Sequence, residues 1–155
     1  MKPQVKAVPI TELSPMVENL VNEGILVEFR VTGSSMRPML SNIKDTVILA
    51  KLTRRPLKRG DIAFYKRSND TYILHRVIKV NGELFDAIGD HQTEIEHNVP
   101  TKNVIAVVES FTRNGKAYKT TNIGYKLYSV LWMLLIPLRS LIFKISPIIR
   151  NKKSR

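Results

Sequence analysis

The sequence of 155 residues contains no cysteine. This absence excludes disulfide bonds, thiolate zinc sites and cysteine nucleophiles, and it says nothing about the compartment. The length fits a single domain that buries about 70% of its unfolded surface, which is enough to build an active site. The three histidines, His75, His91 and His97, do not have the spacing of a strong metal-ligand set. We therefore expect a protein with neither a metal nor another cofactor.

Acidic residues are missing from the C-terminal part of the chain. Residues 110–155 carry ten basic and no acidic side chains, so they hold most of the formal net charge of +12. A basic block of this kind predicts a polyanionic partner, either nucleic acid or an anionic membrane surface. The basic residues at 51–59 lack an aromatic side chain for base stacking, and those of the tail are interleaved with aliphatic residues. We therefore expect no nucleic-acid partner.

The chain also lacks an apolar run long enough to span a bilayer. Residues 128–138 are mostly apolar, but this run is too short and is broken by Pro137. It predicts an interfacial or re-entrant segment, with Tyr128 and Trp132 near the head groups and residues 125–155 on an anionic membrane surface. The alternative is a helical lid packed on the rest of the domain.

Residues 1–10 contain no apolar core of the length that a secretory signal needs. Together with the basic, apolar tail, this predicts a peripheral or monotopic membrane-associated protein. The cytoplasmic face is favoured because no export signal is visible.

The sequence pattern divides the chain into an N-terminal extension at 1–24, a β domain at 25–121 and a hydrophobic, basic tail at 122–155. Ser14 and Pro15 are typical of a helix start and Gly24 of a helix end, so an amphipathic helix is predicted between them. The β domain shows short strand-like runs separated by turn signals, at 25–31, 45–52, 61–66, 72–80, 83–88, 104–111 and 116–121. This spacing predicts a mainly β fold, a coiled antiparallel sheet or small barrel, followed by a helical tail.

Two adjacent hydroxyls follow the first predicted strand. Ser34 and Ser35 come directly after Gly33 and shortly before Pro38, so they lie on a bend and not inside a regular element. A serine on a turn can approach a carbonyl carbon while a nearby backbone N–H meets the oxyanion. Gly-Ser-Ser before a proline is also an ordinary loop composition.

One histidine lies within a predicted strand. By strand alternation His75 shares its face with Ile73 and Val77, so its imidazole is partly removed from water. Such a group is either a structural histidine of the sheet or a proton acceptor that titrates near neutrality.

The pattern Gly-x-Ser-Met-x-Pro-x-Leu at 33–40 resembles the nucleophile box of the signal peptidase I family. Three further motifs follow in the family's order: Arg-Gly-Asp at 59–61, Leu-His-Arg-Val at 74–77 and Gly-Asp at 89–90. The second and third are similar to the boxes of the branch found in archaea and the endoplasmic reticulum, which uses a Ser-His pair.

The resemblance implies a role for each matching residue. Ser35 would be the nucleophile, His75 the general base, and Asp90 the acid that accepts a hydrogen bond from the far side of the imidazole ring. The branch's later acid falls near Glu96. The backbone N–H of Ser35 and the hydroxyl of Ser34 would bind the oxyanion.

The resemblance also implies an activity. It predicts a serine endopeptidase that cleaves an extended precursor, signal or leader peptide, with small residues before the bond, through an acyl-enzyme. Typical members begin with a membrane anchor, which the first residues here do not resemble, and this favours trimming of a dedicated precursor at a membrane surface. The alternative is a catalytically inactive relative that acts as a peptide- or membrane-binding module.

Overall fold

The computed structural model describes residues 10–41, 44–53, 55–139, 141 and 143. The expected helix and strands account for most of this part of the chain. The elements are α1 (Ile10–Asn22), β1 (Val27–Arg30), β2 (Thr46–Ala50), β3 (Ile62–Lys66), β4 (Tyr72–Asn81), β5 (Leu84–Ile88), β6 (Glu96–Pro100), β7 (Val104–Arg113), β8 (Lys116–Lys119) and α2 (Ile123–Leu134), with short 3-10 turns at Thr101–Asn103 and Ile136–Leu138. Two expectations concern residues outside the described part of the chain. They are the contact of the last basic residues, at 144–155, with lipid and the lack of a secretory signal in residues 1–9.

The mainly β fold is confirmed, because eight strands form a single antiparallel sheet. The strand order is β1-β2-β7-β3-β4-β5-β6, and β8 pairs with β7 beside this path. Among the described residues β1 and β6 do not pair with each other, so the sheet stays open. The expectation of a small barrel is therefore not met, and the antiparallel sheet is the part of that prediction that holds.

One strand has no counterpart in the sequence prediction. Residues of β6, Glu96–Pro100, are mostly polar and end in a proline, so they show no alternation of apolar and polar side chains. They form a short strand at the edge of the sheet, where a proline is tolerated because one side of the strand needs no partner. The other predicted strands agree with the observed ones to within a few residues at each end.

Helix α1 begins earlier than the sequence predicted. The helix includes Ile10, so Ser14 and Pro15 lie inside it and not at its start. Ser14 is fully buried, and Val17 and Val21 pack into the core. A proline this near the N-terminus removes a single intrahelical hydrogen bond, and the burial of the apolar face compensates for that loss. Gly24 follows the helix with a positive φ of 81°, as the end signal predicted.

The sheet has a core on each of its faces. The larger core is covered by α1 and by the loop after β1, and it contains Met36, Met39 and Leu40 of that loop. The smaller core lies on the other side, around Tyr65 and Phe85. Because successive residues of a strand point to opposite faces, neighbours on β4 enter different cores.

Helix α2 packs one side against the larger core. Tyr125 and Tyr128 contact that core, and Ser129 and Met133 are buried. The opposite side is apolar and exposed, with at least half of the side chain surface free at Ile123, Leu127, Leu131 and Leu134. The described part of the tail is thus a helix packed on the sheet, as the alternative of a helical lid predicted, and contact of its exposed side with a membrane stays a prediction. No described helix combines the length and the apolar character that a membrane span requires.

Candidate active site

Ser35 lies on an irregular turn after β1, as the sequence predicted. Its side chain is half-buried and that of Ser34 is exposed. The backbone oxygen of Ser35 accepts a hydrogen bond of 2.7 Å from the N–H of His91. A Cβ atom at Gly89 would lie 2.7 Å from the same oxygen, so a larger residue there would displace the turn. The Gly-Asp loop therefore holds the turn that carries Ser35.

Ser35 and His75 line the same cavity. The cavity has a volume of about 180 Å³, and apolar side chains such as Phe29, Val31 and Leu74 form much of its wall. No hydrogen bond joins Ser35 to His75 among the described residues. Catalytic hydrogen bonds are often long in the absence of substrate and tighten in the complex. The structure thus brings the two predicted residues to one small, mostly apolar space.

His75 is buried, with 4% of its surface exposed. Within the described residues its Nδ1 atom has no hydrogen-bond partner. Burial, assisted by the positive charge of Arg67 and opposed by the negative charge of Glu96, lowers the pKa of His75 to about 4. The imidazole is therefore neutral at pH 7 and has a free lone pair, which is the state that a general base needs.

Asp90 does not occupy the position that the sequence predicted. Its two carboxylate oxygens accept hydrogen bonds of 2.7 Å from Nε and Nη2 of Arg76, and neither accepts from His75. Both partners of this ion pair are fully buried. Burial would lower the pKa of Arg76, but the hydrogen bonds and charge of Asp90 outweigh it and raise that pKa. The expected hydrogen bond from the His75 ring to Asp90 is therefore wrong.

A β-bulge explains this change of partner. The β4–β5 hairpin begins with Asn81 opposite Leu84, and continuing that register would place Asp90 opposite His75. The register shifts by one residue between Val77 and Lys79, so that Arg76 lies opposite Ile88. Since a shift by one residue exchanges the two faces of a strand, Asp90 follows Ile88 to the face of Arg76.

Glu96 is the acid on the same face as His75. It pairs across the sheet with Ala87, which pairs with Val77, two residues along β4 from His75. Its carboxylate accepts hydrogen bonds from the Tyr65 hydroxyl at 2.7 Å and from Nη2 of Arg67 at 2.6 Å. Burial would raise the pKa of Glu96, but these hydrogen bonds lower it, so the carboxylate is charged at pH 7. It raises the pKa of His75 through its charge and not through a hydrogen bond.

All four sequence motifs meet at Arg76. Besides Asp90, the guanidinium donates to the backbone oxygen of Gly60 at 3.5 Å and contacts the sulfur of Met39 at 3.0 Å. Helix α2 adds the hydroxyls of Tyr125 at 3.1 Å and Ser129 at 2.7 Å. The buried guanidinium of Arg76 thus connects all four motifs. In the sequence prediction Arg76 had no role of its own beyond being next to His75 in the motif.

The segment at the end of α2 holds the Gly-Asp loop from outside. Trp132 donates from its indole nitrogen to the backbone oxygen of Asp90 at 3.0 Å. Arg139, which is fully buried, donates to the backbone oxygen of Gly89 at 3.0 Å. These contacts connect the C-terminal tail to the turn that carries Ser35, because the same loop binds the Ser35 oxygen.

His75 also lines a second, larger cavity. It has a volume of about 680 Å³ and is lined by Arg67, His75, Glu96, the residues of the loop that leads into β6, and Phe143. Ser35 does not line it. His75 therefore lines both a small, mostly apolar cavity that contains the serine and a wider, more polar one.

The other two histidines do not form a metal site in the described part of the chain. His97 contacts Asp86, with 3.1 Å between Nδ1 and a carboxylate oxygen. His91 packs its ring against Phe143 with 4.6 Å between the ring centroids. Among the described residues no three histidine, aspartate or glutamate side chains come together as metal ligands would.

The sequence matches no protein-family model and no curated protein.

Proposed function

We propose that this chain is a serine endopeptidase of the signal peptidase type. The observation that carries the proposal is that Ser35, on a half-buried turn, and His75, a buried neutral imidazole, line one cavity. In the reaction Ser35 Oγ attacks the peptide carbonyl carbon and the imidazole takes the hydroxyl proton. The imidazolium then protonates the amine that leaves, and water hydrolyses the acyl-enzyme with the same base.

The groove around the cavity supports an extended peptide as the substrate. Residues 72–75 of β4 pair with β3 on one side, and no described strand pairs with their other side, since β5 begins its pairing at Arg76. Val31, Thr32 and Gly33 line the same cavity as residues 72–75. An extended peptide laid along residues 72–75 would add a strand to this edge. The small cavity volume favours a small side chain next to the reacting carbonyl.

The oxyanion that forms during attack needs donors at the turn. The N–H of Ser35 donates to no acceptor among the described residues, and the hydroxyl of Ser34 is exposed beside it. Both groups are assigned this role in the proposal. Glu96 takes the role of the acid that stabilises the imidazolium, because it lies on the same face of the sheet as His75, two strands away on β6, and Asp90 does not.

Labelling with a fluorophosphonate tests the nucleophile. We expect a single covalent adduct per chain, located at Ser35 by mass spectrometry of the peptides, because among the described serines only Ser35 lines the cavity of the neutral imidazole. Ser34→Ala is the matched variant and should still carry one adduct at Ser35, formed more slowly because the proposal assigns the Ser34 hydroxyl to the oxyanion. A label on Ser34, or equal labelling of Ser35→Ala, is incompatible with the proposal. In that case the inactive relative, a peptide- or membrane-binding module, becomes the better description.

The outer side of α2 supports binding to an anionic membrane surface. The exposed apolar residues at 123, 127, 131 and 134 are three or four positions apart, so they form one stripe. Lys116, Lys119 and Lys126 are exposed nearby in sequence, and residues 110–155 contain no acid to neutralise them. An apolar stripe beside uncompensated cations is the chemistry that binds anionic lipid. We propose that this surface rests on the head-group region of such a membrane.

Vesicle sedimentation tests this surface. Wild-type protein should bind vesicles that contain phosphatidylglycerol, more weakly at high salt and on phosphatidylcholine alone. Leu131→Glu should weaken the binding about tenfold, because one leucine is withdrawn from the acyl chains and a negative charge is added. Met16→Glu, at an equally exposed apolar residue of α1, serves as the control and should bind like wild type. Undiminished binding of Leu131→Glu would exclude α2 as the lipid-binding surface.

A further inference from the structure

His75 lines two cavities, and in the proposed reaction each would hold the part of the substrate on one side of the cleaved bond. In the proposed reaction the carbonyl carbon becomes bonded to Ser35 Oγ, so the acyl part of the substrate stays in the cavity that contains Ser35. The imidazole gives its proton to the departing amine, and the amine must therefore lie against His75. The space that His75 lines and Ser35 does not is the polar cavity of about 680 Å³. We call it the leaving-group cavity.

The charges that line the leaving-group cavity are unequal. Arg67 and Glu96 neutralise each other in a salt bridge of 2.6 Å. Glu94 also lines the cavity and is exposed, and it forms no ion pair within the described residues. The two remaining ionisable side chains of the lining are His75, which is neutral at pH 7, and His91. One uncompensated carboxylate therefore faces the space that would hold the amine side of the substrate.

We infer that the leaving-group cavity binds the segment after the cleaved bond and that Glu94 gives it a preference for a cationic side chain there. The inference rests on the proposed peptidase function. The expected ligand is a peptide amine with a lysine or arginine side chain, and the site consists of Glu94, the start of β6 and His75. Because Glu94 is exposed to water, the preference is modest, about threefold to fivefold at low ionic strength.

Capture of the acyl-enzyme by an added amine measures this site directly. An alanine thioester such as the N-acetyl thiobenzyl ester acylates Ser35 through a residue small enough for the cavity of about 180 Å³. Ser35 Oγ bonds to the acyl carbon, the bond from that carbon to sulfur breaks, and the benzyl thiol leaves with the proton that His75 took from the serine hydroxyl. The nitrogen of an added amino acid amide then bonds to the acyl carbon and the bond to Ser35 Oγ breaks. The proton of the amine passes through His75 to that oxygen. By microscopic reversibility the incoming amine occupies the place of the leaving amine.

The comparison uses two amines of equal shape. Lysine amide and norleucine amide present the same four-carbon stem and differ in the terminal ammonium group. At pH 7 and low salt we expect wild-type enzyme to transfer the acyl group to lysine amide three to five times more efficiently than to norleucine amide. Glu94→Gln should bring the ratio close to one, and Glu109→Gln, an exposed glutamate on β7, should leave it unchanged.

The possible results separate the inference from the proposed function. If no acyl-enzyme forms, or if Ser35→Ala turns over the thioester equally well, the peptidase proposal fails and the inference fails with it. Acyl transfer with equal efficiency for both amines in wild type overturns the inference and leaves the peptidase proposal intact. A lysine preference that persists in Glu94→Gln overturns the role of Glu94.

Discussion

Replacement of Asp90 by alanine is expected to lower the free energy of unfolding by about 3–5 kcal/mol. Asp90 and Arg76 are both fully buried, and two hydrogen bonds of 2.7 Å join them. Without the carboxylate, the guanidinium keeps only neutral partners, namely hydroxyls of α2, the Gly60 oxygen and the Met39 sulfur. A domain of this size is stable by about 5–15 kcal/mol in total, so the variant would lose a large part of it.

Urea denaturation of three variants separates this structural role from a catalytic one. The double variant Arg76→Met/Asp90→Ala should recover much of the loss, because it removes both charges and leaves no unpaired ion in the core. Glu96→Gln should cost much less than Asp90→Ala, since the pair between Arg67 and Glu96 is partly exposed. An Asp90→Ala protein as stable as wild type would show that Arg76 does not depend on this carboxylate, and would reopen the role of Asp90 as the acid behind the imidazole.

Replacement of His75 by alanine should slow acylation of Ser35 by about two to four orders of magnitude, because the serine proton then has no positioned acceptor. The wild-type pH profile follows from the low pKa of about 4, which arises first from burial and then from Arg67. Below that pKa the imidazole is protonated and cannot accept a proton. The acylation rate should therefore be flat above pH 5 and fall about tenfold for each pH unit below 4.

The inflection of this profile also reports the contribution of Glu96. Its negative charge raises the pKa of His75, so Glu96→Gln should move the inflection to lower pH. Rates of fluorophosphonate labelling between pH 3.5 and 8 give the profile, and circular dichroism at each pH shows whether the chain remains folded. An inflection near 6.5, the ordinary value for histidine, would mean that the imidazole is solvated and would remove the basis for a buried base.

The buried pair of Arg76 and Asp90 shows how a motif can be found correctly and its chemistry assigned wrongly. The sequence places Gly-Asp where the related branch has its acid, and the loop is indeed part of the site, because His91 donates to the Ser35 oxygen. The partner of the acid depends on the parity of the strand register. A bulge of one residue moves Asp90 from the face of His75 to the face of Arg76. The sequence of residues 77–79 by itself does not predict this bulge.

Glu96 shows the opposite case. The sequence presented it only as a later acid near the end of the motif, in a polar segment with no strand pattern. In the structure that segment forms strand β6 of the sheet. Its Glu96 carboxylate accepts hydrogen bonds from Tyr65, on β3, and from Arg67, just after β3. The aromatic and basic partners were visible in the sequence, but their distance from Glu96 along the chain gave no reason to connect them.

What the sequence determined by itself is local. Gly33 and Pro38 break the chain around Ser35, the alternation of β4 places His75 beside Ile73 and Val77, and the basic residues of the tail have no acidic neighbours. Each of these properties depends on residues close together in the chain. The tertiary structure alone decided that the sheet stays open, that Asp90 binds Arg76, and that Glu96 faces His75. These outcomes depend on strand register and on contacts between distant segments, where a shift of a single residue exchanges one face of the sheet for the other.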